Sequence, residues 1–539
     1  MVIKGWGGKI SVCLVYPNSY HTGMSNLGFQ TVYGLLNRQF DVVCERAFLP
    51  DSRELAEYRG GRSSLLSCET QRPLSDFDVI AFSVSFETDY LNIPRILDLA
   101  RISSFSAGRT SSDPLIIGGG AALFLNPEPV AEFLDMVCVG EAEVILPGLL
   151  EMLRTSAGLE RAGMLADAAR LPGIYVPSLY EIEYDGQSVA AIKPKEPFAP
   201  CVSRAWCDDL DAMRTGSEIF TPATEFSGIH LLELSRGCPR GCRFCAAGFI
   251  YAPYRQRSLA SMRVQAMEAL ADGRKIGLVG AAVGDFKGIG ELCRDIGAAG
   301  GRVTVASLRI DALDEEMIRV LVASGHKTVS LAPEGPSQRL RNLVRKGIDT
   351  SQILSACERL IEHDILNLKL YFIIGLPTEN MADLEEMAQL VDEIRRLVTD
   401  KGRANRRLGQ VTLSVNPFVP KPFTPFQWCG MTPLAELGKR ADFLRRALGK
   451  MPNIRLQFEG LKDASLQALL ARGDRRLAGM LASAGSTGNW RRAARDSGID
   501  VEEVVCRSIP LDEVLPWDVI CCQDRQRLES EYQRAFSGG

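Results

Sequence analysis

Short apolar runs alternate with amphipathic segments along the first third of the chain. Runs such as SVCLVYP, DVIAFSVSF and PLIIGGG are mostly apolar, and helical patterns occupy residues 26–38 and 93–103. Strands buried on both faces and separated by helices are typical of a parallel sheet. The pattern predicts a Rossmann-like domain over residues 1–155, with a ligand crevice beyond the carboxyl ends of its strands. The segments expected to line this crevice are residues 17–23, 83–86 and 118–120.

A second alternation of strands and helices follows a proline-rich stretch. Prolines interrupt any long helix in residues 156–227, which predicts a linker with a small β element. From GIHLLELS to VTLSVNPF, six apolar strands are each followed by a helix. This order predicts a β/α barrel, partial or complete, over residues 228–432, with its active site at the carboxyl ends of the strands. Residues 433–539 are mostly helical in pattern, and the whole chain is therefore expected to have an α/β fold.

Composition narrows the class of protein. The 539 residues are 46% hydrophobic and carry a net charge of -4, so no global basic field indicates nucleic-acid binding. No apolar run approaches bilayer length and no leader pattern is present, so we expect a soluble cytoplasmic protein without a membrane partner. The 15 cysteines are an odd number scattered along the chain, and most are expected to be reduced. Two outlying groups, Cys201 with Cys207 and Cys521 with Cys522, share no ligand-like spacing, which disfavours an auxiliary cluster.

The sharpest motif is a group of three cysteines directly after the first barrel strand. Cys238, Cys242 and Cys245 lie in the segment CPRGCRFC. Thiolates are the usual protein ligands of iron-sulfur clusters, and an electron-transfer cluster normally takes four of them. With three supplied, one metal position stays open, which favours chemistry over structure. A zinc site completed by a histidine or a distant cysteine remains the structural alternative.

The spacing Cys-x-x-x-Cys-x-aromatic-Cys after the first strand of a β/α barrel resembles the signature of the radical S-adenosylmethionine (SAM) enzymes. The resemblance implies that Cys238, Cys242 and Cys245 hold three irons of a 4Fe-4S cluster, whose fourth iron binds the amino and carboxylate groups of SAM. It implies that Phe244 packs beside the cluster. It further implies reductive cleavage of SAM to methionine and a 5'-deoxyadenosyl radical, with electrons from an external reductant such as flavodoxin or ferredoxin.

Two later strand ends resemble the segments that hold the methionine part of SAM in this superfamily. Gly284 and Asp285 resemble the motif that receives the SAM amino group; a helix N-cap at Asp285 is the alternative. Ser307 and Arg309 resemble the Ser-Leu-Arg segment, which implies that Arg309 binds the methionine carboxylate. A surface ion pair between Arg309 and Asp311 is the alternative interpretation there.

Two more strand ends resemble the nucleoside contacts of the superfamily. Glu334, in Ala-Pro-Glu, resembles the glutamate that bonds ribose hydroxyls, and a simple capping role is the alternative. Gly375, in Gly-Leu-Pro, resembles the glycine turn whose backbone approaches adenine, because a glycine permits close approach. The usual spacing of this last motif is incomplete, since position 371 is a tyrosine.

A Rossmann-like domain before such a barrel resembles the cobalamin-binding-domain class of the superfamily. Segments such as YPNSYHTGMSNLGFQ and NPFVPKPFTPFQW resemble one uncharacterised subfamily of that class. Cobalamin is therefore a candidate cofactor, and methyl transfer to carbon would be the leading reaction if it binds. The Asp-x-His-x-x-Gly motif that supplies a lower axial histidine is absent, because His21 follows Ser19 at the aspartate position and precedes Thr22 and Gly23.

Three functions stay open from the sequence, and none identifies the substrate. The leading hypothesis is a radical SAM enzyme with an N-terminal cobalamin-binding-like domain, a β/α partial barrel and a helical C-terminal region. The second is a cobalamin-independent radical SAM enzyme that modifies RNA or protein. That hypothesis requires a function for the basic loop of Lys401, Arg403, Arg406 and Arg407, although such charges usually form a solvated face. The third is a noncatalytic iron-sulfur or corrinoid carrier, which would bind no SAM.

Overall fold

A parallel sheet forms the centre of the N-terminal domain. The computed structural model describes residues 2–61, 63–156, 158–305, 308–404 and 406–537. The elements of this domain are β1 (Ile10–Tyr16), α1 (Tyr20–Met24), α2 (Leu27–Arg38), β2 (Val42–Phe48), α3 (Ser52–Gly60), β3 (Val79–Ser83), α4 (Asn92–Leu99), β4 (Leu115–Gly119), α5 (Ala121–Leu125), β5 (Met136–Cys138), α6 (Ala142–Thr155), α7 (Arg161–Ala168) and β6 (Ile174–Tyr175). The strand order is β2-β1-β3-β4-β5-β6, and the first five strands are parallel. The predicted Rossmann-like fold is confirmed, with its topological switch between β1 and β3.

The segment that follows β6 contains a small β element. Its strands are β7 (Tyr180–Asp185), β8 (Ser188–Pro194) and β9 (Val202–Ser203). Strands β7 and β8 form an antiparallel hairpin around a turn at Gly186, whose φ of 57° favours glycine.

Seven parallel strands form the partial barrel. The elements are β10 (Ile229–Glu233), β11 (Ser235–Arg236), α8 (Ala247–Ile250), β12 (Arg255–Gln256), α9 (Leu259–Ala271), β13 (Lys275–Val279), α10 (Ile289–Ala298), β14 (Val303–Val305), α11 (Glu315–Ala323), β15 (Thr328–Glu334), α12 (Gln338–Leu343), α13 (Thr350–Glu362), β16 (Asn367–Ile374), α14 (Met381–Ala404), β17 (Gln410–Pro417), α15 (Leu434–Leu448) and β18 (Ile454–Phe458). The sheets β10-β13-β14 and β15-β16-β17-β18 meet at a parallel bridge between Leu308 and Leu331.

The barrel strands present alternate side chains to two environments. Along β16, Leu368, Leu370 and Phe372 are buried, whereas Lys369 and Tyr371 between them are partly exposed. Successive side chains of a strand point to opposite faces, so the buried set packs under the helices and the other set faces the barrel lumen. Six of the strands are predicted by the sequence pattern; β18 is an additional strand and pairs with β17.

Helices dominate the C-terminal region. Its elements are α16 (Leu461–Arg472), α17 (Leu477–Thr487), α18 (Trp490–Asp496), α19 (Val501–Cys506), β19 (Ile520–Cys521) and α20 (Arg525–Phe536). Strand β19 pairs in parallel with β9, and Cys201 and Cys521 form a disulfide there with 5.9 Å between their Cα atoms. Of the helices described, none is long and apolar enough to cross a bilayer.

A buried ion network joins the N-terminal domain to the first barrel strand. The guanidinium of Arg236 donates to Glu141 at 2.9 Å, to Glu143 at 2.5 Å and to Glu233 at 3.0 Å. Arg255 donates to Glu141 at 2.7 Å. Burial lowers the pKa of Arg236, but the carboxylates beside it outweigh burial and raise this pKa above its usual value. Buried charges persist only when paired, so this network holds the two domains in register.

One carboxyl group is buried at the carboxyl edge of the N-terminal sheet without full pairing. Asp89, after β3, is 2% exposed. One of its oxygens accepts a hydrogen bond from Asn18 Nδ2 at 2.7 Å, and the other has no hydrogen-bond partner among the residues described. Burial raises the pKa of Asp89 to about 6, although the Asn18 hydrogen bond opposes this. Protonated Asp89 therefore stabilises the fold at low pH, and this contribution is lost as the pH rises through about 6.

Replacing this carboxyl with a neutral amide is expected to stabilise the protein only above that range. At about pH 8, Asp89→Asn should increase the free energy of unfolding by on the order of 2 kcal/mol, because no charge is then buried. At about pH 4 the variant should match the wild type. Thermal unfolding followed by circular dichroism at both pH values measures the difference. The control is Asp98→Asn, which removes an exposed charge from α4; a pH-independent effect of Asp89→Asn would contradict the prediction.

Candidate active site

The three cysteines of CPRGCRFC lie in one loop that begins where β11 ends. All three are free thiols; Cys242 is buried and the other two are partly exposed. Gly237 starts the loop with a φ of 80°, and a Cβ there would lie 2.7 Å from the carbonyl oxygen of Tyr251. The Cys245 amide donates to the Cys242 carbonyl at 3.1 Å. Glycine is therefore required at the start of the loop, and a backbone turn joins Cys242 to Cys245.

The thiols influence one another electrostatically. Burial raises the pKa of the Cys245 thiol to about 11, and Cys242 and Cys238 add to this rise. Within the part of the chain that is described, no three metal-ligating side chains lie close enough together to hold a single ion. The ligands of a four-iron cluster instead bind separate irons. Three neighbouring thiols, which bind metal as thiolates, thus fit a cluster with one iron left open.

Two opposite charges lie beside this loop at the next strand ends. Asp285 follows β13, and Arg309 follows β14. Burial raises the pKa of Cys238, Arg309 lowers it and Asp285 raises it, so both charges are near that thiol. Asp285 is not a helix N-cap, because α10 is capped at Gly288. A Cβ on Gly284 would lie 2.6 Å from Ala312 Cβ, which explains the glycine.

Both charges are paired within the chain. Arg240, in the cysteine loop, binds the Asp285 carboxylate through two nitrogens. Arg309 donates to Asp311 at 3.0 and 3.2 Å, as the alternative interpretation predicts, but its side chain is largely buried rather than on the surface. Arg240 also lies 3.1 Å from Asp311. Ser307 lies outside the residues that the structure describes.

The two remaining predicted contacts lie on the adjacent strands. Glu334 ends β15 with a φ of 64° and lies 3.5 Å from Lys346 Nζ. Burial raises the pKa of Glu334, and Lys346 partly offsets this. Gly375 has a φ of 76°, and a Cβ there would lie 2.6 Å from Leu437 on α15. The packing of α15 against this turn therefore leaves no room for a side chain at position 375.

A pocket of about 480 Å³ opens into the lumen beside these groups. The residues that line it are Phe244, Ala332, Glu334, Tyr371, Ile373, Asn416, Pro417, Phe418, Val419, Lys421 and Gln467. Buried Glu87 of the N-terminal domain accepts from Lys421 Nζ at 2.5 Å and from Gln467 Nε2 at 3.2 Å. Phe244, which lies between Cys242 and Cys245, therefore brings the cysteine loop into the wall of the pocket that also contains Glu334.

Family models match both α/β units of the chain. Residues 28–177 match the N-terminal domain of radical SAM proteins, and residues 232–391 match the radical SAM superfamily domain. The chain belongs to the radical SAM superfamily. Membership makes it an enzyme with a 4Fe-4S cluster and SAM as cofactors, and the three-thiol loop is the feature of this structure that fits that cluster.

Similar proteins differ in how much of the chain they share. An uncharacterised protein of Methanocaldococcus jannaschii is 29% identical over 87% of this chain and 89% of its own length. The anaerobic magnesium-protoporphyrin IX monomethyl ester cyclase of Rubrivivax gelatinosus is 26% identical over 50% of this chain. This chain spans about half of that relative, 47% of its length. A solved structure of the cobalamin-dependent radical enzyme OxsB, with aqua-cobalamin and SAM bound, has a TM-score of 0.48 and 18% identity over 74% of this chain and 56% of that one.

The N-terminal domain of this radical SAM enzyme contains a second cavity, of about 490 Å³. It runs from apolar side chains between the sheet and helices α2 and α6 to the strand ends at residues 118–120, and then to Ser235, Arg236 and Gly237 before the cysteine loop. Two of the three predicted crevice segments contribute to it, at residues 83–85 and 118–120. Residues 17–23 do not line it, and His21 on α1 is exposed.

Sequence reasoning missed several residues of the radical SAM site. Arg240 occupies an unspecified position of the cysteine motif, in CPRGC. Its place in the sequence therefore gave no sign that its side chain would reach the end of another strand. Lys421 stands alone among aromatic and proline residues in NPFVPKPF, which was a usable signal for a charge held in the lumen. Glu87 belongs to a different domain and carried no local signal.

Removing one cluster ligand should abolish the cofactor and leave the fold intact. Cys242→Ala is expected to lose the cluster absorbance and all SAM cleavage, because two thiolates from one loop do not hold the cluster. Anaerobic reconstitution, iron analysis and circular dichroism measure the outcome. Cys293→Ala, which removes a buried thiol from α10, is the matched control and should keep the cluster. Normal SAM cleavage by Cys242→Ala would contradict the assignment of this ligand.

Proposed function

We propose that this enzyme cleaves SAM reductively at the cysteine loop and directs the resulting radical to a substrate in the lumen pocket, with a corrinoid in the N-terminal cavity as a second cofactor. When bound, the reduced cluster supplies the electron that breaks SAM into methionine and a 5'-deoxyadenosyl radical, and the corrinoid supplies a methyl carrier. The observation that carries the proposal is that the N-terminal cavity and the lumen pocket are both lined by the same loop, the first at Gly237 and the second at Phe244.

The chain's residues then have distinct binding roles. Cys238, Cys242 and Cys245 hold the cluster. Asp285 accepts hydrogen bonds from the SAM amino group, and Arg309 binds its carboxylate, since a guanidinium suits a planar carboxylate. Glu334 accepts hydrogen bonds from the ribose hydroxyls across the lumen, and Phe244 keeps water from the cluster.

The N-terminal cavity suits a large cofactor with an apolar body. Gly119 ends β4 at the cavity, and a Cβ there would meet only Cys138, its Cβ at 3.6 Å and its carbonyl oxygen at 3.9 Å. The strand end is therefore bare where the cavity turns towards the barrel. The carboxyl edge of an α/β sheet near its topological switch is where cofactors bind, and the cavity lining includes Ser83 at the end of β3, beside the switch between β1 and β3. With the corrinoid bound there, methyl transfer to a substrate carbon is the proposed reaction.

The alternative of RNA modification receives less support from the geometry. Lys401 and Arg403 belong to the last turn of α14 rather than to a loop. Arg406 and Arg407 follow, just before β17 begins at Gln410. Because the barrel strands are parallel, these four charges lie at their amino ends, opposite the cysteine loop. A nucleic acid bound there would not reach the lumen.

Blocking the N-terminal cavity should separate the two cofactors. With dithionite and SAM, the reconstituted wild type is expected to form 5'-deoxyadenosine and to retain added cobalamin through gel filtration. Gly119→Leu places a side chain in the cavity and should lose at least about 90% of the cobalamin while keeping the cluster and deoxyadenosine formation. Gly119→Ala, the matched control, should keep all three. If the wild type forms deoxyadenosine but retains no cobalamin, the cobalamin-independent enzyme is favoured. If it does neither, the noncatalytic carrier is favoured.

The corrinoid should bind without a histidine ligand. The protein has four histidines, and none lines the cavity as described. Their positions are His21 exposed on α1, His230 stacked on Phe220, His326 bonded to the Val303 carbonyl and His363 paired with Glu315. Cob(II)inamide lacks the benzimidazole base, so any nitrogen coupled to its cobalt would come from the protein. Its electron paramagnetic resonance spectrum should show no nitrogen splitting, in the wild type and in His21→Ala alike. Splitting that disappears in His21→Ala would contradict this.

A further inference from the structure

Four charges at the strand ends next to the cysteine loop neutralise one another. Arg240 binds Asp285 through Nε, at 3.1 Å, and through Nη2, and its Nη1 lies 3.1 Å from Asp311. Arg309 donates to both carboxylate oxygens of Asp311. The arrangement is a chain of alternating charges in which each end, Asp285 and Arg309, is a residue proposed to contact SAM.

The methionine end of SAM carries the same two charges on one carbon. Its amino group is a hydrogen-bond donor, as the Arg240 guanidinium is, and its carboxylate is an acceptor, as the Asp311 side chain is. A SAM amino group bound to Asp285 would lie beside the Arg240 guanidinium, which already contacts both carboxylate oxygens, and the two positive charges would repel each other. Likewise, two of the Arg309 nitrogens are already directed to Asp311.

We infer that Arg240 and Asp311 stand in for the amino and carboxylate groups of SAM, and that SAM binding exchanges these internal ion pairs for pairs with the ligand. This inference rests on the proposed roles of Asp285 and Arg309. Arg240 is the mobile partner of the exchange, because its side chain is 37% exposed while those of Asp285 and Asp311 are largely buried. Arg240 and Asp311 are positioning residues that set how tightly the methionine end is held.

The exchange has a measurable energetic consequence. A partly exposed ion pair contributes roughly 0.2–1 kcal/mol, so its loss on SAM binding weakens affinity by up to about fivefold. A variant without the internal partner avoids this cost. It should therefore bind SAM more tightly than the wild type, whereas loss of a direct ligand contact would weaken binding.

The test measures ligand affinity rather than turnover. Equilibrium dialysis of the anaerobically reconstituted full-length protein is carried out with SAM, S-adenosylhomocysteine and 5'-methylthioadenosine. S-adenosylhomocysteine keeps the amino and carboxylate groups without the sulfonium charge, and 5'-methylthioadenosine lacks both groups. We expect Arg240→Gln to raise the affinity for SAM and for S-adenosylhomocysteine by up to about fivefold. The affinity for 5'-methylthioadenosine should stay unchanged. Asp311→Asn should behave in the same way, and Arg240→Lys should lie near the wild type.

A matched control removes a similar charge beside the same loop. Arg345 lies 3.0 Å from the Cβ position of Gly241 and pairs with Glu531 on α20, away from Asp285. Arg345→Gln should leave all three affinities unchanged; equal tightening there would reveal a general charge effect and overturn the inference. Weaker SAM binding by Arg240→Gln would show that Arg240 contacts SAM directly. An unchanged affinity would show that no exchange of ion pairs occurs, and either result would overturn the inference. If the wild type with an intact cluster binds no SAM, the proposed function fails and the inference fails with it.

Discussion

The buried side chain of Arg236 ties the two α/β units of this enzyme together. It reaches Glu141 and Glu143 of the N-terminal domain and Glu233 of the first barrel strand. Removing the Arg236 guanidinium would leave the buried carboxylate of Glu143 without its counter-charge, at a cost of roughly 3–5 kcal/mol. The first cysteine of the loop, Cys238, lies two residues later. The contact that orients the domains thus also fixes the point from which the cluster ligands extend, and the N-terminal cavity passes directly over it.

The strand ends of the barrel remain ordered by internal pairing of their charges. Asp285 is held by Arg240, Arg309 by Asp311, and Glu334 by Lys346, so each of these three charges has a partner. Arg240, in the cysteine loop, also reaches Asp311 and so links that loop to two strand ends. Partly buried charges left alone would draw in water or shift their protonation. Pairing between loops therefore gives the site a defined shape that depends on several strands at once, which a single loop of this length would not provide.

The sequence allowed the fold to be predicted where the signal was local. Runs such as LKLYFIIG are apolar enough to identify a strand, and the cysteine spacing is confined to eight residues. Strand β18, with the sequence IRLQF, was missed because it is short and half polar. The disulfide between Cys201 and Cys521 spans 320 residues, and no spacing rule reaches that far. The pairing of Arg240 with Asp285 depends on the barrel bringing two strand ends together, which only the tertiary structure determines.

Glu87, in the N-terminal domain, balances a charge in the wall of the lumen pocket of the barrel. A residue of the N-terminal domain neutralises Lys421 and orients Gln467, both in the wall of the lumen pocket. A barrel transferred by recombination onto a different N-terminal domain would keep Lys421 as an uncompensated charge inside its own pocket. A substitution at position 87 would therefore change the charge in the wall of the lumen pocket, although this position lies in the other domain.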